Sequence, residues 1–208
     1  HRHFRRQRQM CIRDRLSRLL HPIFIPTITL AIISTKFLNI IILSNQLNII
    51  IIGTVIFTLL FPLLSILYLL FTKRIKSLQI EEKEERILPI LFTIIWMLIG
   101  YYFLGNILEY APVVNSIYLG MIATLGITLL ITKYWKISLH MAAIGGCFGV
   151  FLNLQYIYGG VINYVIFILI LSGLLGYSRA ILKAHNMRQI YSGFLLGVLM
   201  LVGFISYL

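Results

Sequence analysis

"VINYVIFILILSGLLGYSRAILKAHNMRQIYSGFLLGVLMLVGFISY", residues 161–207, sets a twelve-residue segment with Arg179, Lys183, His185 and Arg188 between two apolar runs. A helix of about 20 predominantly apolar residues spans a hydrocarbon core of roughly 30 Å. The stretch therefore reads as two membrane-crossing helices joined at one bilayer face by "SRAILKAHNMRQ", residues 178–189. The rest of the chain repeats the pattern. Of its 208 residues 60% are hydrophobic and 12% charged, and the mean hydropathy is +0.94, which leaves little material for a soluble domain.

Apolar runs bounded by charges and turn formers place further spans near 22–38, 48–71, 87–105, 113–132 and 139–156, ahead of 160–177 and 191–207. The expected fold is all-α: a polytopic membrane helix bundle of six core spans with an extra N-terminal span. That first span contains Pro22 and Pro26 and is short enough to be kinked or re-entrant. The chain divides into 1–15, an N-terminal span and connector over 16–47, and a transmembrane core over 48–208. Gly145, Gly146 and Gly149 in the fifth span, with Gly193 and Gly197 in the last, are small-residue patches that let helices approach closely.

The opening "HRHFRRQRQMCIRDR" resembles translated sequencing-adapter read-through; the alternative is a disordered basic tail that binds anionic headgroups. Setting it aside removes six Arg and Asp14, lowers the formal net charge from +12 to +7 and leaves no Asp. It also leaves Cys147 alone, so there is no disulfide or metal framework.

Counting spans puts three polar segments on one side: "TKRIKSLQIEEKEER" (72–86), "TKYWKISLH" (132–140) and "SRAILKAHNMRQ". The other side holds only Lys36 and Glu109. Such a gathering suits a membrane-surface active site, and equally a solvated basic rim.

Spacing favours the site. Ser178-Arg179, five residues, His185, three residues and Gln189 resembles the third signature of the PAP2 family, the membrane phosphatases related to phosphatidic acid phosphatase and haloperoxidase, which ends in Asp. "KISLH" is similar to the second signature, Pro-Ser-Gly-His, with Ile137 and Leu139 in place of its Pro and Gly. The first, Lys, six residues, Arg-Pro, is poorly matched: Gln79 stands where Lys is expected, and Arg86 is followed by Pro only at Pro89. "LSRLLHPIFIPT", "SLQIEEKEERILP" and "KISLHMAAIGG" look like a divergent Bacteroidetes-type branch carrying an extra N-terminal span.

The resemblance implies a phosphatase of lipid phosphates or diphosphates. His185 would attack phosphorus to form a phosphohistidine, and His140 would protonate the leaving alkoxide. Arg179, Ser138 and Arg86 would hold the phosphoryl oxygens, since guanidinium binds phosphate bidentately and stays charged. Gln189 would orient His185 without the negative charge of Asp. No metal or other cofactor is implied. The partners are a lipid phosphate substrate and membrane lipids, with no nucleic acid, and the implied location is a bacterial inner membrane. Two alternatives stand beside this: a catalytically degraded relative that binds anionic headgroups, and a small transporter or structural membrane protein. Transport finds little support, because spans three to seven offer only Glu109 along a path. Glu81, Glu82, Glu84 and Glu85 read as a solvated run, and Lys183 and Arg188 as headgroup contacts.

Sidedness is contested. Lys73, Arg74, Lys76, Lys133, Lys136, Lys183 and Arg188 mark the motif side as cytoplasmic, whereas the family works on the opposite face. A cysteine-accessibility map should label positions 76, 136 and 183 from one side and 109 from the other. Labelling of 109 together with 136 would break the span count.

Overall fold

The computed structural model describes residues 20–38, 44–78, 80 and 82–206; the 1–15 reading, Gln79 and Glu81 lie outside them. Among the described residues every regular element is helical. Helix α1 is Phe24–Ile33, extended by a π-helical turn Ser34–Leu38. Helices α2 (Ser44–Val55) and α3 (Phe61–Phe71) are joined through the π-helical turn Ile56–Leu60. Then follow α4 (Ile87–Leu108, entered through the 3-10 turn Glu84–Arg86), α5 (Pro112–Tyr134), α6 (Leu139–Tyr158), α7 (Ile162–Ile181) and α8 (Met187–Ser206).

Six spans are long and apolar enough to cross a bilayer, from Gln46–Phe71 through Met187–Ser206, so the protein is an integral membrane protein of the expected all-α class. The N-terminal run differs. Its apolar helix, Phe24–Lys36, is shorter than those six, and a crossing without tilt takes about 20 residues. Pro22, just ahead of Phe24, bars an upstream extension of the same helix, since it lacks an amide donor and restricts the residue before it. Nor is α1 a lipid-facing rod: Leu30 and Ile33 are fully buried, while Ile28 is 52% exposed on the outer face. Thr27 and Thr58 join α1 to the π-helical turn through a 2.7 Å bond between their hydroxyls.

Exposed Leu, Ile, Phe and Tyr side chains on α3, α4 and α7 face outward, as a lipid solvent demands. With no hydrophobic drive between helices in lipid, close packing must hold the bundle, and the tightest contact joins α6 to α8. Both carry Gly-xxx-Gly, Gly145/Gly149 and Gly193/Gly197, and run parallel. A methyl group at Gly149 would lie 2.9 Å from the Val198 carbonyl oxygen, and one at Gly193 would lie 2.6 Å from that of Ser138. At Gly145 and Gly197 it would collide with the backbone oxygens of Phe194 and Ala142. Polar bonds close both ends: the Ser138 amide donates to the Gln189 carbonyl (3.3 Å), and Asn153 Nδ2 to that of Val202 (3.1 Å).

The polar twelve is itself partly helical. Helix α7 runs on through Arg179 and α8 starts at Met187, so only a short link, with His185 in it, joins the two. Asn186 caps α8: its Oδ1 accepts from the Gln189 amide (2.9 Å), and Gln189 Oε1 accepts from the Asn186 amide (3.2 Å). This is a reciprocal capping box, which satisfies two amides that the first helical turn leaves unpaired.

Gly197→Ala should lower the thermal midpoint in detergent, since an overpacked contact costs about 1–3 kcal/mol and the opposing atom here is backbone that cannot swing aside. Gly126→Ala, whose methyl would meet open space, should not. Equal midpoints for the two variants would remove the α6–α8 contact from its central place.

Candidate functional site

The three polar segments meet at one end of the bundle. From the α3–α4 loop, Arg86 is 4% exposed and stretches between two backbone carbonyls: Nε donates to Ile80 (2.9 Å) and Nη1 to Ile137 (3.1 Å). Ile80 has φ +42°, a left-handed conformation that a β-branched residue rarely adopts. Its side chain is held by a small apolar cluster with Ile66, Leu69 and Ile75, which pins the loop over the bundle end. The Ile137 bond ties this loop to the segment leading into α6.

A cavity of about 150 Å³ opens here, and Arg86, His140, Arg179 and His185 all line it. Those four expected site residues therefore share one space. Gln189 stands behind His185, its Oε1 3.0 Å from Nδ1. Ser138 is placed differently: fully buried at the entrance of α6, it does not line the cavity, though Leu139 and His140 beside it do. Its hydroxyl has no hydrogen-bond partner among the described residues. Lys83 and Glu84 pair with each other at 3.7 Å, and Glu85 pairs with Lys76, so these acidic side chains serve the loop. Glu82 is exposed.

The capping box settles the His185 tautomer. Gln189 Oε1 accepts the Asn186 backbone amide, so the atom facing Nδ1 is the amide oxygen, and Nδ1 carries the proton. The Nε2 lone pair is then the free one. Burial pushes the His185 pKa down to about 3; Arg86 adds to the depression, the Gln189 bond opposes it, and Arg179 and Lys136 depress it further. The ring stays neutral between pH 3 and 6.5, where a free imidazole would gain a proton.

His21 also lines the cavity, and nothing in the motif reading pointed to it. Its ring sits edge-on to His140, centroids 5.5 Å apart. Nδ1 accepts from the Ile23 amide at 3.4 Å, and the side chain also bonds the Leu78 backbone. Burial holds its pKa below the ordinary value, the Leu78 bond opposes this, and Arg179 adds to it. Span parity was the available signal, because counting 22–38 as a crossing puts the residue just ahead of it on the motif side.

Among the described residues no carboxylate lines the cavity, and two buried guanidiniums lie beside one neutral imidazole. Guanidiniums gathered at the mouth of a cavity are of the chemistry that binds anions. Among the described residues no group of three His, Cys, Asp or Glu converges as metal ligands. No protein-family model matches the chain, and no curated protein or solved structure does so either.

Arg86→Met should raise the His185 pKa from about 3 toward the ordinary imidazole value, read by histidine NMR titration. It should also lower stability by about 1–3 kcal/mol, the cost of an unpaired buried polar group, since two carbonyls lose their donor. An unmoved titration would show that Arg86 does not act on His185.

Proposed function

We propose that the protein is a membrane phosphatase that hydrolyses a lipid phosphate or diphosphate through a phosphohistidine, working in a bacterial inner membrane. The observation that carries the reading is the fixed His185 tautomer at the edge of a cavity lined by Arg86 and Arg179. The motif spacing from Ser178 to Gln189 supports it independently. The membrane location rests on the six spans, and the bacterial inner membrane on the sequence resemblance.

The phosphoryl group enters between Arg86 and Arg179, whose charge persists as negative charge builds on the equatorial oxygens. Nε2 of His185 attacks phosphorus, the P–O bond to the lipid breaks, and His140, protonated, gives its proton to the leaving alkoxide. His140 then takes a proton from water as that water attacks the phosphohistidine, which frees phosphate and restores both rings. Low basicity at His185 keeps the nucleophile unprotonated down to acid pH. It also destabilises the cationic phosphohistidine, because Gln189 brings an oxygen without a negative charge.

Gln189→Glu keeps both the length of the side chain and the capping bond while adding that charge. Phosphate release from a panel of lipid phosphates should rise at least ~10-fold, equivalent to about 1.4 kcal/mol of barrier. The acid limb of the pH profile should move upward, because a carboxylate at Nδ1 raises the pKa of its ring. His185→Ala should release none. Equal background release by wild type, Gln189→Glu and His185→Ala across pH 5–9, with folded protein, would leave the site as a headgroup receptor without chemistry.

A further inference from the structure

The cavity does not end at the cations. From His140 it follows α6 down to Val150, ten residues and about 15 Å at the rise of an α-helix, to the middle of the membrane. Several of its walls are threonines, which would suggest a polar or hydrated path. Four of the five have engaged hydroxyls: Thr29 donates to the Ile25 carbonyl, Thr58 to Thr54, Thr93 to Pro89 and Thr124 to Gly120, at 2.6–2.8 Å, while Thr128, one turn nearer the cationic end of the cavity, has a hydroxyl without a partner among the described residues. With the hydroxyl turned back onto the preceding turn, those four have no hydroxyl donor left for the cavity and present their methyls to it. Deep in the bundle the wall is completed by Met97, Ile117 and Leu201, which are apolar.

The space is therefore amphipathic, cationic at the interface and apolar within. Drawn out over that depth, about 150 Å³ is a channel one hydrocarbon chain wide, and two chains abreast do not fit. One side is closed by α1 and the turn ahead of it, which contribute Pro22, Pro26 and Thr29 to the lining while Ile28 faces outward.

Resting on the phosphatase reading, we infer that this cavity seats the apolar chain of a single-chain phosphorylated amphiphile, a long-chain alkyl or prenyl phosphate or diphosphate, and that α1, by walling it, excludes two-chain glycerophospholipids. The chain lies inside the protein, so its length is measured by the depth of the cavity.

The test compares phosphate release from butyl, octyl and dodecyl phosphate and from two-chain phosphatidate. It uses the full chain, the cavity-filling variants Thr124→Leu and Ala143→Leu, and melting shifts given by dodecylphosphonate and by inorganic phosphate. Wild type should prefer dodecyl phosphate to phosphatidate at least ~10-fold. Both variants should cut the dodecyl-to-butyl ratio at least ~10-fold, the loss expected from two excluded methylenes. Should neither variant fold, the wild-type series still decides: release should climb with chain length and then level off. Phosphatidate turned over as fast as dodecyl phosphate, a flat wild-type series, or wild-type ratios in both folded variants would each overturn the inference. If no substrate releases phosphate, the phosphatase reading falls. A wild-type dodecylphosphonate shift larger than that of inorganic phosphate would then keep the chain cavity standing, and its absence would end that too.

Discussion

Everything at the candidate site depends on how closely α6 and α8 approach. The two helices meet backbone to backbone through Gly145, Gly149, Gly193 and Gly197, a contact in which even one methyl group strikes a carbonyl oxygen. In lipid, where apolar side chains gain nothing by leaving their solvent, such an approach is among the few sources of helix association. It has a direct chemical consequence. Ser138 at the head of α6 bonds the backbone of Gln189 on α8, so His140 on α6 and His185 in the link just ahead of α8 are brought to the same cavity. Arg86, far off in sequence, is drawn in by the Ile137 carbonyl on the same α6 entrance.

Around that frame the electrostatics are lopsided. Positive groups converge, with no carboxylate lining the cavity among the described residues, and the imidazole among them answers by staying neutral. Gln189 acts in two ways at once: its Oε1 closes the capping box of α8 and fixes the proton on His185 Nδ1. An amide meets the first need as well as a carboxylate would. The second it meets in geometry only, so orientation of the nucleophile is separated from stabilisation of its cationic product.

The spans were legible because hydropathy and length suffice to mark them, and the glycine patches because Gly-xxx-Gly spacing survives in one dimension. The convergence of His140, Arg179 and His185 followed from span parity and motif spacing. Other features were not legible. That α1 is a buried wall depends on Leu30 and Ile33 meeting helices that come later in the chain. His21 belongs to none of the three signatures, and its place beside His140 needs α1 docked. Arg86, a poor match by motif, is fixed by Ile137, 51 residues away, and by the strained backbone of Ile80, neither of which has a local signal. Asn186 with Gln189 three residues on was visible as a capping pair, but the motif reading took Gln189 only as a substituted Asp.

The central claim, that a phosphoryl group passes through His185, is tested most directly by trapping it. Purified protein should be mixed with a ³²P-labelled single-chain lipid phosphate, quenched in alkali within the first turnover and mapped by peptide mass spectrometry. The account predicts an acid-labile, base-stable label on the peptide containing His185, present in wild type and missing from His185→Ala. Phosphate released at the wild-type rate with no such label, or a label retained in His185→Ala, would contradict it.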